Sequence, residues 1–148
     1  MSDPTKLLIA NGDQIQITLN PPCVSPPLVP PLPLVGSGLS TVNDQAVCVE
    51  GDEYPPSIAN NTPVPYMSPP YVVPGTGTVK ITLAGGNKTS IAKDKDKKML
   101  LKGTTFQVEL DVQSPAMMPT PAGPQPDPMP KHTGTAMFIT TNTIAESD

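Results

Sequence analysis

Along this chain apolar residues come in short runs broken by Pro and Gly. Within the runs they alternate with polar residues, the period of β-strands rather than helices. Ile15, Ile17 and Leu19 take every second position of residues 14–19 and so share one face. Phe106, Val108, Leu110 and Val112 do the same in residues 104–112, the cleanest strand of the sequence. Residues 6–10 form another apolar run. Asn11-Gly12-Asp13, between it and residues 14–19, predicts a tight turn joining the two as a hairpin. No stretch holds a helical period over an ordinary helix length, and a single turn over residues 93–101 is the one candidate.

Residues 36–52 read as the unit around which the chain is organised. Gly36-Ser37-Gly38 leads into Leu39 and Val42, and Asn43-Asp44 supplies a turn whose residues tolerate positive φ. Ala46, Val47, Cys48 and Val49 return as an apolar strand, and Gly51-Asp52 closes the unit. The same order of parts recurs at 75–94 and 133–148, which predicts pseudo-symmetric β-units around one core. Three Pro-rich stretches, about 20–35, 53–74 and 114–131, are predicted as loops. Paired prolines exclude helix and central strand, so 20–35 is expected to run extended, dropping Val24, Leu28, Val29, Leu32 and Leu34 onto the core. Residues 53–74 hold all three tyrosines, and their end at 71–74 is expected to enter a strand. The methionines of 114–131 suit either a partner contact or gap filling.

Composition narrows the function. The 148 residues suffice for one domain. A net charge of −4, with nine lysines and no arginine, argues against nucleic acid as the partner. Aromatic residues make up 3% of the chain and Trp is absent, leaving few stacking platforms. The 22 prolines alternate with Val, Leu and Ile rather than with charge, which fits stiff loops on a β-scaffold as well as a disordered chain. A Pro-x-x-Pro ligand reading competes for 20–35 but has no flanking Arg. Lys93-Asp94-Lys95-Asp96-Lys97-Lys98 reads as a solvated turn. The first residues lack a signal-peptide layout and no apolar run reaches a membrane span, so synthesis in the cytoplasm without Sec export or anchor is expected.

Candidate chemistry is sparse. His132 is the single histidine, and a Ser–His–carboxylate triad would require it beside a nucleophile for which no strand–turn–helix context exists. Cys48 sits in an apolar strand, where a cysteine acts as a small hydrophobe. Cys23, Cys48 and His132 supply at most three soft metal ligands, one short of a closed structural zinc site. Asp13, Asp52 and Asp94 follow turns and are expected to cap them rather than bind cations.

At Asn43-Asp44-Gln45-Ala46-Val47-Cys48-Val49-Glu50-Gly51-Asp52 the sequence resembles the strand–turn–strand repeat of the PAAR family. Gly36-Ser37-Gly38 matches that family's lead-in, Asn43 its turn, and Gly51-Asp52 and Gly12-Asp13 its closing pairs, with 75–94 and 132–148 as divergent copies. The resemblance implies a small conical all-β fold of short hairpins with pseudo-three-fold repeats and long Pro-rich loops. It implies a non-enzymatic spike tip for a contractile injection system, of type VI secretion or phage-tail-like kind. Such a tip caps a trimeric VgrG-like or phage-spike-like β-helix as one copy, aids membrane puncture and carries effector cargo. It would be made in the bacterial cytoplasm and delivered outside the cell with the particle. Ala46-Val47-Cys48-Val49 stands where the family has Pro-Ala-Ala-Arg. The family's tip zinc is held by one Cys and three His, a set this chain cannot complete; Cys23 and His132, with Cys48, are the positions it leaves. The alternative from another class is a Pro-rich β-module acting as adaptor or ligand-binding protein.

Overall fold

The computed structural model describes residues 6–21, 23–28, 31–58, 62–94 and 96–140. Its elements are β-strands and three single 3-10 turns. In chain order the strands are β1 (Gln14–Leu19), β2 (Leu32–Pro33), β3 (Thr41–Val42), β4 (Gln45–Ala46), β5 (Val64–Ser68) and β6 (Tyr71–Thr82). They continue with β7 (Lys88–Asp94), β8 (Lys97–Leu100), β9 (Phe106–Ser114), β10 (Met117–Met118), β11 (Gln125–Pro126) and β12 (Lys131–Ile139). Eight form one antiparallel sheet in the order β11-β10-β6-β9-β12-β1-β2, with β5 also on β6; β3–β4 and β7–β8 are separate pairs.

The alternation seen in the sequence sets the register. Ile15 sits opposite Phe138, and Val108 lies between Ile81 and Gly134. Ile15, Ile17, Leu19, Phe106, Val108 and Leu110 all face the core, where the Phe106 and Phe138 rings meet with centroids 4.8 Å apart. Val112 packs partly buried against the same core. Leu28, Leu32 and Leu34 drop onto the core as expected of the extended segment, whereas Val24 stays exposed and Val29 lies outside the described residues.

Several expectations change. The hairpin between 6–10 and 14–19 does not form. Its turn exists, with Asp13 N–H donating to Ala10 O and Gly12 at φ +91°, but β1 pairs with β12 and β2. Leu7, Leu8, Ile9 and Ala10 are apolar in succession, so they need burial on both faces and find it elsewhere. The central unit does form its hairpin, with Asn43 and Asp44 at φ +50° and +66°. Leu39, however, is exposed rather than core. Residues 75–94 are not a second copy: their first half alternates long enough to join β6 in the main sheet, and their second half is β7 in another pair. Nor is 133–148 a third, since β12 is a single interior strand and residues 141–148 lie outside the described part. The helical turn over 93–101 is replaced by β7–β8.

The Pro-rich stretches are more structured than loops. Residues 53–74 contain β5 and the start of β6, joined across a cis Pro69–Pro70 bond. Among the named strands β5 pairs with β6, and on its other side Val24 bridges it at Met67, so the missing N–H of Pro65 breaks no second ladder. Residues 114–131 carry the small β10–β11 pair.

Candidate functional site

Three segments far apart in sequence meet in one layer. Their centres are Ile9, Cys48 and Leu100, all fully buried. Ile9 N–H donates to Leu100 O (3.1 Å), Leu100 N–H to Cys48 O (2.9 Å) and Cys48 N–H to Ile9 O (2.8 Å), closing a ring. A second ring runs the other way: Asn11 N–H to Ala46 O (2.7 Å), Glu50 N–H to Lys98 O (2.9 Å) and Lys102 N–H to Leu7 O (2.9 Å). In each bond of the second ring the donor lies two residues after a centre and the acceptor two residues before the next. Bridges Leu8–Leu101, Ala10–Val47 and Val49–Met99 repeat the rule one residue out. The backbone of one chain therefore builds a three-fold arrangement.

Side chains alternate across this layer because strand residues point to opposite faces. Ile9, Cys48 and Leu100 join the main core. Ala10, Val47, Val49 and Met99, with Leu8 against them, face the other way and form a second cluster with Val42 of β3. Thr89 of β7 accepts Met99 N–H there through its hydroxyl, 3.1 Å. The hairpins β3–β4 and β7–β8 thus pack on the face away from the main sheet.

Each segment leaves the layer through a corner three residues past its centre, at Gly12, Gly51 and Gly103, with φ +91°, +103° and +51°. Glycine, lacking a Cβ, takes positive φ without steric cost. At the first two corners an aspartate catches the N–H three residues earlier: Ala10 N–H to Asp13 Oδ2 (2.9 Å) and Val49 N–H to Asp52 Oδ2 (3.0 Å). The third corner has Thr104 in that place. Asn87 does the work instead. Its carbonyl accepts Leu101 N–H (2.7 Å), and its side-chain amide donates to Lys102 O and Thr104 O (3.1 and 3.2 Å). This third repeat was missed in the sequence because Asp is absent from it. The spacing of a buried apolar residue and a Gly three positions later, at 9/12, 48/51 and 100/103, is the signal that finds it.

The opposite end is Pro-rich. Gln14 pairs with Ile139 beside the first corner, and His132 lies seven residues back along β12. At strand rise that is about 23 Å away. There Asp127 Oδ2 accepts from His132 Nε2–H (2.6 Å) and from the Tyr66 hydroxyl (3.0 Å), while Oδ1 accepts Met129 N–H (3.1 Å). The Tyr66 oxygen in turn accepts Ala116 N–H (3.0 Å). Asp127 N–H donates to Ala116 O, so both ends of the β10–β11 stretch are fixed on Tyr66 of β5 and His132 of β12. Burial pushes the Asp127 carboxyl up, but its bonds from Met129 N–H, His132 and Tyr66 and the charge of His132 outweigh it and hold the group below the usual carboxylate range. Burial pushes the Tyr66 phenol up to about 12.

The sequence-predicted ligands divide between the two ends. Cys48 is a layer centre. Cys23 lies at the same end as His132, and the charge of Asp127 there adds to the burial that pushes the Cys23 thiol up to about 11. Burial likewise pushes Cys48 up to about 12. Cys48 lies at the layer, away from Cys23 and His132, and His132 spends Nε2 on Asp127. Among the described residues no three His, Cys, Asp or Glu side chains are grouped to hold a metal ion. These residues do not fit a Cys-and-His zinc site. Asp13 and Asp52 each hold the N–H three residues earlier, as expected of turn caps, whereas Asp94 caps no turn that it follows and instead accepts Leu39 and Ser40 N–H from a distant segment.

The family model described as contractile injection system spike tip protein matches residues 1–148, and the chain belongs to that family. No curated protein matches the sequence. No helix among the described residues is long and apolar enough to cross a membrane.

Proposed function

We propose that residues 1–148 act as one domain that caps the trimeric β-helical spike of its injection system as a single copy, with the three-segment layer toward the spike and the Pro-rich end leading. The observation that carries this is the pair of three-membered backbone rings through Ile9, Cys48 and Leu100. A trimer ends in three equivalent strands, and a lone chain meets them on equal terms only if it presents three equivalent segments of its own. Capping also covers strand edges that would otherwise be open to wrong pairing.

The leading end suits puncture. Penetration needs stiffness, and this end gains it from proline, which fixes φ, and from buried hydrogen bonds. Besides the Asp127 centre, the Ser25 hydroxyl donates to Pro65 O (2.7 Å), and Val24 and Met67 exchange two backbone bonds. The role is non-enzymatic in this reading: His132 and Asp127 are both buried and engaged with each other, holding chain in place.

The test is co-purification with the spike protein encoded beside it, read by native mass spectrometry. One copy per trimer is the expected result. A clean monomer in the presence of its cognate trimer would sink the capping role while leaving the fold intact.

A further inference from the structure

Charge stops short of the Pro-rich end. Residues 20–28, 62–76 and 112–130 hold sixteen of the 22 prolines, but of the nine lysines and thirteen acidic residues they hold Asp127 alone. The three segments are one region in space. Val24 bridges Met67, the Ser25 hydroxyl donates to Pro65 O, Met117 pairs with Val73, and Ala116 N–H donates to the Tyr66 hydroxyl. Asp127 is buried under its three donors, so the described residues of this region present no charge to the surface.

Apolar side chains are presented instead. Successive strand residues point to opposite faces, yet Val72 and Val73 of β6 are 52% and 46% exposed, so the strand outruns the core at this end. Met129 and Val24 are exposed beside it, and the exposed Gln113 and Gln125 are polar but uncharged. Proline brings no N–H to the region, and the N–H groups of Val24, Met67, Val112, Ala116, Asp127 and Met129 are bonded within the protein. Charge begins again at a band on one face of β6, β9 and β12, where Asp111 is opposite Lys131, Glu109 is opposite Lys80, and Lys131 lies 3.6 Å from Glu109. Thr78 of β6 is opposite Asp111, and five residues of strand separate it from Val73, about 17 Å. That is close to half of the hydrocarbon thickness of a bilayer, about 30 Å.

We propose that this end partitions spontaneously into the hydrocarbon of a lipid bilayer, to the depth of the charged band and without preference for anionic headgroups. This rests on the reading of the Pro-rich end as the leading one, and names the medium it enters and how far. A water-facing surface has no need to shed charge and N–H donors together, and a protein partner is met through a polar, hydrogen-bonding rim. Hydrocarbon penalises both an exposed charge and a free N–H, and this region offers neither charge nor, at its prolines, a donor. Without charge of its own, the contact is insensitive to salt and to anionic lipid.

The experiment floats the full chain with vesicles of phosphatidylcholine, with and without phosphatidylglycerol, at low and high salt. Wild-type flotation is expected to be the same in all four conditions. V72K/V73K is expected to lower it by about 10-fold or more, whereas L39K, at an exposed residue held near the layer by Asp94, should leave it unchanged. The chain has no Trp, so V73W and L39W are single reporters of the two ends. Phosphatidylcholine brominated on its acyl chains should quench V73W and spare L39W. No flotation, flotation that requires phosphatidylglycerol or survives V72K/V73K, or an unquenched V73W would overturn the lipid contact; one copy of the wild-type chain still on each spike trimer would leave the capping role standing. Loss of trimer binding in V72K/V73K, read by native mass, would instead place the Pro-rich end against the spike and overturn the leading-end reading together with the proposal.

Discussion

Asn87 offers the sharpest test of the three-fold layer, because its importance is invisible in the sequence. The side chain is fully buried and makes three hydrogen bonds: it accepts from Ala84 N–H (3.2 Å) and donates to Lys102 O and Thr104 O. Asn87→Ala removes all three and leaves the amide of Ala84 and two carbonyls without that partner. At about 1 kcal/mol per bond, the loss is about 3 kcal/mol. For a chain of this size that lowers Tm by about 10 °C. Thr104, which occupies the aspartate's place in the repeat, is exposed, so Thr104→Ala should shift Tm by less than about 2 °C. Differential scanning fluorimetry of the two variants decides the matter. A small shift for Asn87→Ala, or a larger one for Thr104→Ala, would refute the account of the third corner.

The Pro-rich end has its own pH dependence. The Asp127 carboxyl lies below its ordinary range in the fold, so the stability it contributes is complete above the unfolded value of about 4 and is lost as pH falls through the folded one. Wild-type Tm should drop on acidification below that point, and Asp127→Asn should flatten the drop; an identical acid slope in both would exclude Asp127 as its source. Cys23 and Cys48, raised to about 11 and about 12, should stay silent toward Ellman's reagent at pH 8 in the native protein and both react once it is denatured. Prompt reaction of one equivalent without denaturant would contradict the burial of that thiol. Chelation is expected to leave Tm unchanged, since the Pro-rich end is closed by Asp127, His132 and Tyr66; a fall of several degrees with EDTA, restored by zinc, would show that a metal contributes after all.

Much of the fold was legible, and the reasons for what was not are specific. Strict alternation made β1 readable in full and β9 readable to within two residues at each end, because period two has one structural meaning when one face is buried. The Asn43–Asp44 turn was readable because few residues accept its dihedrals. Pairing was not. Asn11-Gly12-Asp13 is a turn signal whichever strands it separates, and local chemistry does not say whether the flanking runs pair with each other or with strands a hundred residues away. β1 found β12, and residues 7–11 found two other segments. Proline misled in the opposite sense, since an edge position makes it harmless and β5 is an edge. The candidate site was half visible. Gly12-Asp13 and Gly51-Asp52 stood out as a pair, while the third member hid its capping group at Asn87, sixteen residues before Gly103. Asp127 carried no local mark at all, since its partners come from β5, β12 and its own loop.

The two ends also explain why the three-fold order stops where it does. Symmetry is useful only where the partner is symmetric. At the layer it resides in the backbone, in rings that any residue with an N–H and a C=O can make, so the side chains around it are free to differ. They do differ: the first corner is closed by Asp13, the second by Asp52 and the third by Asn87. Beyond the layer the chain must converge, and one continuous sheet does this with fewer open edges than three separate arms. The sheet's long strands link the layer to the Pro-rich end, where no symmetry is left to keep. A buried Asp–His–Tyr centre can then fix three segments of different length, which a three-fold axis could not accommodate. On this view the asymmetry of the Pro-rich end is a consequence of building a three-fold layer from a single chain.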